Sequence, residues 1–432
     1  MTTTMTLESP AAATGAPTGA APHAAARCRA CAAPLAHTFV DLGSSPLCQR
    51  HVTPERLNQM EPFYPLHVWV CDQCWLVQLE EYVSPAEIFD DYAYFSSFST
   101  SWLAHAKAYT QEMGRRFAVG KGSRVVELAS NDGYLLQYFK EAGVTVLGIE
   151  PAANVAEAAI AKGIPTVVEF FGVRTARQVR AQHGPADLLL GNNVLAHVPD
   201  INDFVGGMKA LLADRGVITM EFPHLVQLMT HNQFDTIYHE HFSYLSMTAV
   251  ETLFAKHGLT LFDVEELPTH GGSLRIYARH AADQSKPIGS RVGDLRAREA
   301  AFGITRLETY ATFGEQVRRT KRRLLEFLIG AKDAGKTVVG YGAPGKGNTL
   351  LNYCGIRADF VDYTVDRNPK KIGNYLPGSR IPIHHPDRIR ETRPDYVLIL
   401  PWNLRDEIAQ QMSYVRGWGG KFVVPIPTVE VF

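Results

Sequence analysis

The sequence of 432 residues lacks any apolar run of the roughly eighteen residues that a membrane span needs. It also lacks a basic segment followed by an apolar core at its N-terminus, so we expect no secretory signal. Charge of neither sign is in excess, because 43 Lys and Arg nearly balance 44 Asp and Glu to a net charge of -1. These absences argue against nucleic acid or a membrane surface as partners, and we expect a cytoplasmic protein that recognises its partners locally.

Large apolar side chains are scarce in residues 1–26, which are rich in Ala, Thr and Pro. Such a segment buries too little surface to offset the entropy of ordering, so we predict a disordered tail there. The rest of the chain is long enough for two to three domains, each with its own core.

Cysteine is scarce as well, but four of the six cysteines form two C-x-x-C pairs: Cys28, Cys31, Cys71 and Cys74. Two such pairs can present four thiolates in a closed tetrahedral site, so we predict structural zinc, with a redox pair as the competing interpretation. The strand-like runs at 38–42 and 66–70 have little core of their own, so zinc should supply much of the folding free energy. Cys48 and Cys354 stand alone, and we expect buried thiols there.

An aromatic and hydroxyl-rich segment, 89–99, follows the second cysteine pair and contains Tyr94. It leads into a helix predicted over 101–117. Such a segment can cover a bound ligand with amphipathic side chains, and it can equally be a packed linker.

An apolar strand over 125–128 runs into a small polar turn that ends at Gly133, and a second strand over 144–149 ends in Glu150. This spacing suits a nucleoside at the carboxyl ends of two parallel strands, where a glycine permits close approach and a carboxylate accepts from both ribose hydroxyls. A dehydrogenase would more often carry G-x-G-x-x-G here, so we predict S-adenosylmethionine, with an unliganded strand-turn-helix as the alternative. The candidate cofactor residues are Glu127, Ser130, Asn131, Asp132, Gly133, Glu150, Asn192 and Asn193.

Strands and helices alternate through this region, with strands predicted near 125–128, 144–150, 166–171, 187–192 and 217–222. This alternation predicts an α/β fold with a parallel sheet covered by helices on both faces. Two further strands, 260–267 and 273–279, can supply the antiparallel hairpin of a class I methyltransferase. The strand-end rule then places Asn192, Asn193 and His197 beside the sulfonium. The turn at 269–273 permits close backbone approach to a substrate, or it is only a tight turn.

Four titratable residues stand in a row after the fifth strand: Tyr238, His239, Glu240 and His241. Apolar residues flank them, and burial with mutual hydrogen bonding can move their pKa values toward neutrality, so they form a candidate acid/base cluster. The His-x-His spacing also permits a second metal site, and a solvated loop is the bland alternative.

A mostly helical, Arg-rich stretch over 291–334 precedes a second strand-turn-helix, VVGYGAPGKGN at 338–348, and Asp366 ends the next strand. The glycines match the dinucleotide-binding pattern G-x-G-x-x-G, although a lone match is weak. The additional lysine and glycine suit a diphosphate held by backbone amides and an ammonium. The candidate residues for this site are Gly342, Lys346, Asn348, Trp402 and Asn403, and the alternative is a Rossmann-like unit that merely closes the cleft.

The cysteine pairs occur in a fixed order with VVELASNDG (125–133), NNVLAHVPD (192–200), FDTIYHEHFSYL (234–245), THGGSLR (269–275) and VVGYGAPGKGN. Over residues 27–430 this combination resembles the three-domain C-methyltransferases that act on nucleotide-linked 4-keto-deoxysugars. The resemblance implies a zinc-binding module at 27–91, a domain binding S-adenosylmethionine at 92–285 and a Rossmann-like domain that holds the nucleotide sugar at 286–432. It further implies that His241 is the base, surrounded by Tyr238, Glu240, His197 and Tyr94, and we expect Glu240 to orient His241 or to raise its basicity.

The chemistry fits these residue types, because a carbon next to a ketone can be deprotonated by a positioned imidazole when the enolate is stabilised. We therefore predict a methyltransferase that methylates this carbon, with C3 of a thymidine-diphosphate sugar favoured, acting as a monomer or weak homodimer. Methylation of oxygen or nitrogen is the first alternative. An NAD-dependent oxidoreductase using 340–345 and a zinc-ribbon binding protein are the others.

Overall fold

The computed structural model describes residues 26–88 and 95–432. Its strands are β1 (His37–Ser45), β2 (Tyr64–Val70), β3 (Val77–Leu79), β4 (Arg124–Leu128), β5 (Thr145–Ile149), β6 (Thr166–Val167), β7 (Ala186–Asn192), β8 (Leu212–Pro223), β9 (Ser243–Tyr244), β10 (Leu259–Leu267), β11 (Ser273–His280), β12 (Val338–Tyr341), β13 (Thr364–Val365), β14 (Ile383–His384), β15 (Tyr396–Ile399), β16 (Lys421–Val424) and β17 (Glu430–Val431). Its helices are α1 (Pro85–Ile88), α2 (Thr100–Phe117), α3 (Leu136–Glu141), α4 (Ala153–Ala161), α5 (Val173–His183), α6 (Ile201–Leu211), α7 (Leu225–Thr230), α8 (Met247–Lys256), α9 (Ser290–Phe302), α10 (Leu307–Ala311), α11 (Phe313–Asp333), α12 (Gly345–Cys354), α13 (Arg388–Thr392) and α14 (Arg405–Gln411).

The N-terminal module is an antiparallel sheet in the order β1-β2-β3-β9. The central strand β2 alternates buried Leu66, Val68 and Val70 with more accessible residues, as a sheet with one covered face requires. The last strand, β9, comes from the middle of the chain and pairs antiparallel with β3. The module's sheet is therefore completed by residues that directly follow the predicted acid/base cluster.

The central sheet has the order β10-β11-β8-β7-β4-β5-β6, parallel from β6 to β8 and antiparallel through β11 and β10. This order, with the closing hairpin, is the class I methyltransferase fold that the strand-helix alternation predicts. One strand is shorter than expected, because β6 covers Thr166–Val167 and not 166–171. Its neighbour β5 ends at Ile149, so no partner remains for residues beyond Val167.

The C-terminal sheet has the order β14-β13-β12-β15-β16-β17, and all its pairs are parallel except the last. The helical stretch before it resolves into α9, α10 and α11, and α12 follows β12 as in a Rossmann-like unit. In each α/β domain, the first parallel strand in the chain is followed by a polar turn and a helix: β4 by α3, and β12 by α12. Such folds bind ligands at this end of the strand.

Two hydrophobic cores join the N-terminal module to both α/β domains. The cysteine end, with Cys28, Leu35 and Leu76, belongs to the core of the central domain. The opposite end of the sheet, with Phe39 and Val68, shares a core with α11 and α12 of the C-terminal domain. The N-terminal module therefore packs against both α/β domains and shares a hydrophobic core with each.

Some expectations fall outside the described residues. These are residues 1–25 of the tail expected at 1–26, Tyr94 and the boundary expected at 91–92. Cys48 and Cys354 are both buried thiols, as expected. Within 26–88 and 95–432, no helix has the length and apolar character needed to cross a bilayer.

Candidate active site

The four paired cysteines converge on one point. Their sulfur atoms all lie within 4.8 Å of one another, with 3.5 Å between Cys28 and Cys74 and the same distance between Cys31 and Cys71. Tetrahedral coordination at Zn–S distances of about 2.3 Å needs this compact arrangement. Because four thiolates fill all four positions, the cluster is a closed structural zinc site.

A short chain of contacts connects the zinc site to the acid/base segment. Gln78 donates from Nε2 to the Cys28 sulfur at 3.1 Å, and the backbone of Gln78 pairs with Ser243 across β3 and β9. Leu79 N also donates to the carbonyl of Phe242 at 3.0 Å. Since Phe242 follows His241 directly, the metal-supported sheet fixes the backbone on one side of the candidate base.

The turn after β4 is held by the carboxylate that ends β5. Glu150 accepts from the backbone N–H of Asn131 and of Ala152, each at 2.9 Å, so it ties the turn to the start of α4. Gly133 has φ +74°, and a Cβ there would lie 2.9 Å from Ile164. The glycine is needed for turn geometry and packing, whereas we expected it to make room for a ligand.

Several buried polar atoms around this turn lack a hydrogen-bond partner among the described residues. Within the described residues, both carboxylate oxygens of Glu127, the hydroxyl of Ser130, both amide atoms of Asn192 and Oδ1 of Asn193 are buried without a hydrogen bond. Burial, and then the charge of Glu150, raises the pKa of Glu127 well above its ordinary value. Buried polar groups are rarely left unpaired, so this set fits a polar ligand such as S-adenosylmethionine.

The remaining candidate of the turn, Asp132, is already engaged. Its carboxylate pairs with Lys162 at 3.0 Å and accepts a hydrogen bond from Ser97. Ser96 N donates to Oδ1 of Asn131 at 2.8 Å. The end of the aromatic, hydroxyl-rich segment therefore lies directly over the turn, which favours a covering role over that of a linker packed elsewhere.

His241 is fixed in one tautomer. Its Nδ1 lies 2.7 Å from the carbonyl of Thr236, and a carbonyl only accepts, so Nδ1 carries the hydrogen and Nε2 keeps the lone pair. Burial, and then the neighbouring His197, lowers the pKa of His241 well below its ordinary value. The imidazole is thus neutral at physiological pH, with a basic nitrogen at Nε2.

Two of the predicted neighbours of His241 contact it. The ring centroid of Tyr238 is 4.0 Å from that of His241, and the centroid of His197 is 4.7 Å away on an edge-on ring. Burial lowers the pKa of His197 to about 4, so this imidazole is neutral too. All three side chains are only partly buried, which leaves them accessible from the cleft.

Glu240 and His239 point elsewhere. Glu240 is buried and accepts a hydrogen bond from the Cys48 thiol at 3.4 Å, and burial raises its pKa to about 7. His239 donates from Nε2 to the carbonyl of Pro65 in the N-terminal module at 3.1 Å. We expected Glu240 to orient His241, but in the structure the carbonyl of Thr236 holds the Nδ1 hydrogen.

The C-terminal domain reaches this cleft through Lys346, Trp402 and Asn403. Lys346 Nζ donates to Oδ1 of Asn403 at 2.8 Å and lies 4.6 Å from the centroid of the Trp402 ring. Trp402 donates from Nε1 to the buried carboxyl of Asp235 at 2.8 Å. The three side chains are partly accessible, so they form a polar wall facing the acid/base segment.

The glycines at 340, 342 and 345 are explained by packing. A Cβ on Gly340 would meet Thr364 at 2.7 Å, one on Gly342 would meet Pro401 at 2.7 Å, and one on Gly345 would meet the Cys48 sulfur at 2.9 Å. Asp366, at the position where a dinucleotide fold binds ribose, accepts from the backbone N–H of Ala343 at 2.8 Å. The motif alone is therefore not evidence for NAD.

Asn348 lies one turn into α12 and is 1% exposed. Among the described residues neither atom of its amide has a hydrogen-bond partner. The neighbouring Thr349 donates its hydroxyl to the carbonyl of Ile237 at 2.9 Å and so ties α12 to the acid/base segment. Asn348 remains a candidate for binding, whereas the hydroxyl of Thr349 joins the two domains.

Asp235 makes folding depend on pH. Burial raises its pKa from 3.8 to about 7, and nearby Lys346 opposes this only in part. Between these values the unfolded chain binds fewer protons than the folded one, so stability falls as pH rises. Asp235→Asn keeps an oxygen acceptor for Trp402 and abolishes the titration. We expect the unfolding free energy of the variant minus that of the wild type to rise by up to about 4 kcal/mol across this window.

Denaturant unfolding at a series of pH values measures this difference. Asp359→Asn removes an exposed carboxylate of the C-terminal domain and serves as the control, because exposed substitutions change stability little. A pH-independent difference for Asp235→Asn would contradict the shifted titration.

Some contributors were missed from the sequence. Thr236 acts through its carbonyl, which no side-chain pattern reveals. Lys162 and Cys48 contact candidate residues across long stretches of chain, and Cys48 lies 192 positions from Glu240. No local pattern signals these contributions, because each uses a backbone atom or joins residues far apart in the chain.

The comparisons with known proteins agree with this architecture. Three family models match consecutive parts of the chain. They are described as "Putative zinc binding domain" at 28–89, "Methyltransferase domain" at 102–264 and "C-methyltransferase C-terminal domain" at 268–427. With the strand order and the polar turn, they define an S-adenosylmethionine-dependent methyltransferase.

A curated relative covers nearly the whole chain. The C-methyltransferase NovU of Streptomyces niveus is 38% identical over 404 residues, which is 94% of this chain and 96% of the relative. The chain therefore belongs to the three-domain family of S-adenosylmethionine-dependent C-methyltransferases.

Similar solved structures overlap only part of the chain. A methyltransferase from Anabaena variabilis has a TM-score of 0.36 at 13% identity, covering 47% of this chain and 99% of its own. Magnesium protoporphyrin IX methyltransferase from Synechocystis has a TM-score of 0.32 at 12% identity, covering 41% of this chain and 78% of its own.

Proposed function

We propose that the protein methylates the carbon next to the ketone of a nucleoside-diphosphate 4-keto-deoxysugar, with C3 of a thymidine-diphosphate sugar as the acceptor. The hydrogen bond from His241 Nδ1 to the carbonyl of Thr236 carries this proposal, because it leaves Nε2 as a basic atom. The partly accessible imidazole contacts the ring of His197, which follows β7, and Lys346 of the C-terminal wall contributes to its lowered pKa. The similarity to a C-methyltransferase supports carbon as the acceptor.

The proposed chemistry needs a base and a donor. His241 Nε2 takes the proton from the carbon next to the ketone, and the electron pair of that C–H bond moves onto the ketone oxygen. Tyr238 or His197, both in ring contact with His241, can donate to this oxygen as it becomes negative. Bound S-adenosylmethionine supplies the electrophilic methyl group that the carbon accepts.

The Thr236 carbonyl contributes by orientation. Once His241 Nε2 is protonated, the imidazolium donates from both nitrogens, and the carbonyl stabilises the charge at Nδ1. The ring also keeps its direction through the reaction, so little reorganisation is needed when the proton moves. This role replaces the one that we expected for Glu240.

The nucleotide part belongs on the C-terminal side. The N-terminus of α12 offers backbone N–H groups to an anion, and Lys346 adds an ammonium in the same turn. Asn348 offers a buried amide without a partner among the described residues. Trp402 and Asn403 present an indole face and an amide that suit a base or a sugar. We therefore assign the diphosphate to the N-terminus of α12 and the adjoining base or sugar to Trp402 and Asn403.

Deuterium uptake tests the proposal directly. The wild-type protein, with S-adenosylhomocysteine, is incubated in D2O with a panel of thymidine-diphosphate 4-keto-6-deoxyhexoses, and exchange is followed by NMR. We expect protein-dependent exchange at one carbon next to the ketone, because the base acts even when no methyl group is available. The position of exchange identifies the carbon that is methylated.

Two controls accompany this experiment. Sugars without the ketone should not exchange, and solutions without protein give the spontaneous rate. The absence of exchange across the whole panel would overturn the carbon-acid mechanism and would favour oxygen or nitrogen as the acceptor.

A further inference from the structure

His270 has an unusual backbone. It lies in the turn between β10 and β11 with φ +55°, and Gly271 and Gly272 follow with φ +90° and +113°. A side chain at positive φ costs about 1 kcal/mol or more, and a third glycine would avoid this cost. The turn thus carries an imidazole side chain at a position where the backbone conformation favours glycine.

The surroundings of His270 define its tautomer. Its Nε2 lies 3.0 Å from Nδ2 of Asn193, and an amide nitrogen only donates, so Nε2 accepts and Nδ1 carries the hydrogen. Trp102 packs edge-on against the ring with 5.2 Å between centroids. Burial lowers the pKa of His270 to about 4, so the imidazole is neutral. No described residue accepts a hydrogen bond from Nδ1, although the side chain is partly accessible.

The Nδ1–H donor of His270 belongs to a side chain that adjoins the cofactor side and the C-terminal wall and that affects the candidate base. Asn193 belongs to the turn after β7, on the cofactor side. Gly271 lies against Trp402, because a Cβ there would be 2.7 Å from the indole ring. His270 also contributes to the lowered pKa of His241, and Lys346 does the same. The imidazole therefore lies beside the cofactor turn and the C-terminal wall, within electrostatic range of the candidate base.

We propose that His270 is a further catalytic residue, whose Nδ1–H donates to the ketone oxygen of the acceptor and stabilises the enolate. A neutral imidazole can polarise a carbonyl without losing a proton, so this contact adds no proton transfer to the reaction. The Asn193 amide holds the ring in the required tautomer. The inference rests on the proposed function, because it needs an acceptor that forms an enolate.

The variant His270→Gly tests the proposal without straining the turn, since glycine accepts positive φ readily. We expect deuterium exchange and methyl transfer to fall together by about 100-fold, as for other lost oxyanion donors. The affinity for S-adenosylhomocysteine should change by less than about threefold, because Asn193 keeps its backbone position. Exchange by NMR, turnover and calorimetric titration provide the three readouts.

A second variant and a control keep the test decisive. His270→Asp suits the same backbone, and its carboxylate accepts but does not donate at the Nδ1 position, so it should show at least the same loss if His270→Gly does not fold. His231→Gly, at an exposed histidine, should retain normal rates. Unchanged exchange in a folded His270 variant would overturn the proposal, as would weakened S-adenosylhomocysteine binding with normal exchange at saturation. Failure of wild-type exchange would instead overturn the proposed function itself.

Discussion

His241→Asn should lower both deuterium exchange and methyl transfer by about 1,000-fold, because the variant lacks a basic lone pair at the position of Nε2. Asparagine can still donate to the carbonyl of Thr236, so the backbone of the segment should persist. The carboxylate of Glu150 holds the cofactor turn through the backbone N–H groups of Asn131 and Ala152, and this support does not involve His241. The affinity for S-adenosylhomocysteine, measured by calorimetric titration, should therefore remain that of the wild type.

The neighbouring His239 provides a matched control. It lies two positions before His241 but donates to the carbonyl of Pro65, away from the cleft. His239→Asn should cost about 1 kcal/mol of stability through one weakened hydrogen bond and leave the exchange rate within about threefold of the wild type. Equal losses of exchange in the two variants would show that His241 acts through folding and not as the base.

Loss of zinc should abolish activity although the metal takes no part in the chemistry. Cys31→Ser breaks the tetrahedral set at an exposed position, so little packing is lost with the sulfur. A structural zinc site contributes on the order of 10 kcal/mol to folding of a small module, and β9 depends on that module for its pairing. We expect unbound zinc, a lowered melting temperature and an exchange rate reduced by about 100-fold or more.

Zinc content, melting temperature and the rate of deuterium exchange should be measured on the same preparation of Cys31→Ser, so that loss of metal, stability and exchange can be compared directly. Cys354→Ala removes a buried thiol that lies outside the cluster and should leave zinc content and exchange unchanged, with a modest loss of stability. A zinc-free Cys31→Ser protein with the wild-type exchange rate would contradict the link through β3 and β9.

Local patterns were sufficient for much of the architecture. The two C-x-x-C pairs predicted the cysteine cluster, because each pair brings its own thiolates together within one turn. The alternation of strands and helices predicted the central sheet, and the rule that ligands bind at strand ends placed Asn192 and Asn193 on the cofactor side. The one shortened strand, β6, depended on where its neighbour ends, which the sequence of β6 does not contain.

The directions of consecutive side chains could not be read in the same way. Residues 238–241 follow a 3-10 turn and precede β9, so neither a helical nor a strand period applies to them. His241 and Tyr238 face the accessible cleft, whereas His239 and Glu240 are buried against the N-terminal module. Four adjacent titratable residues thus divide into an accessible pair and a buried pair according to the surfaces that pack around them.

The sequence by itself determined the two cysteine pairs, the polar turn after β4, the order of the domains and the run of four titratable residues at 238–241, since each depends on residues close together in the chain. Tertiary structure alone decided which nitrogen of His241 is basic, what Glu240 contacts and how His270 reaches Asn193. It also decided that the N-terminal module shares its cores with both α/β domains. These features depend on contacts between residues far apart in sequence, and such contacts form only when the three parts of the chain pack together.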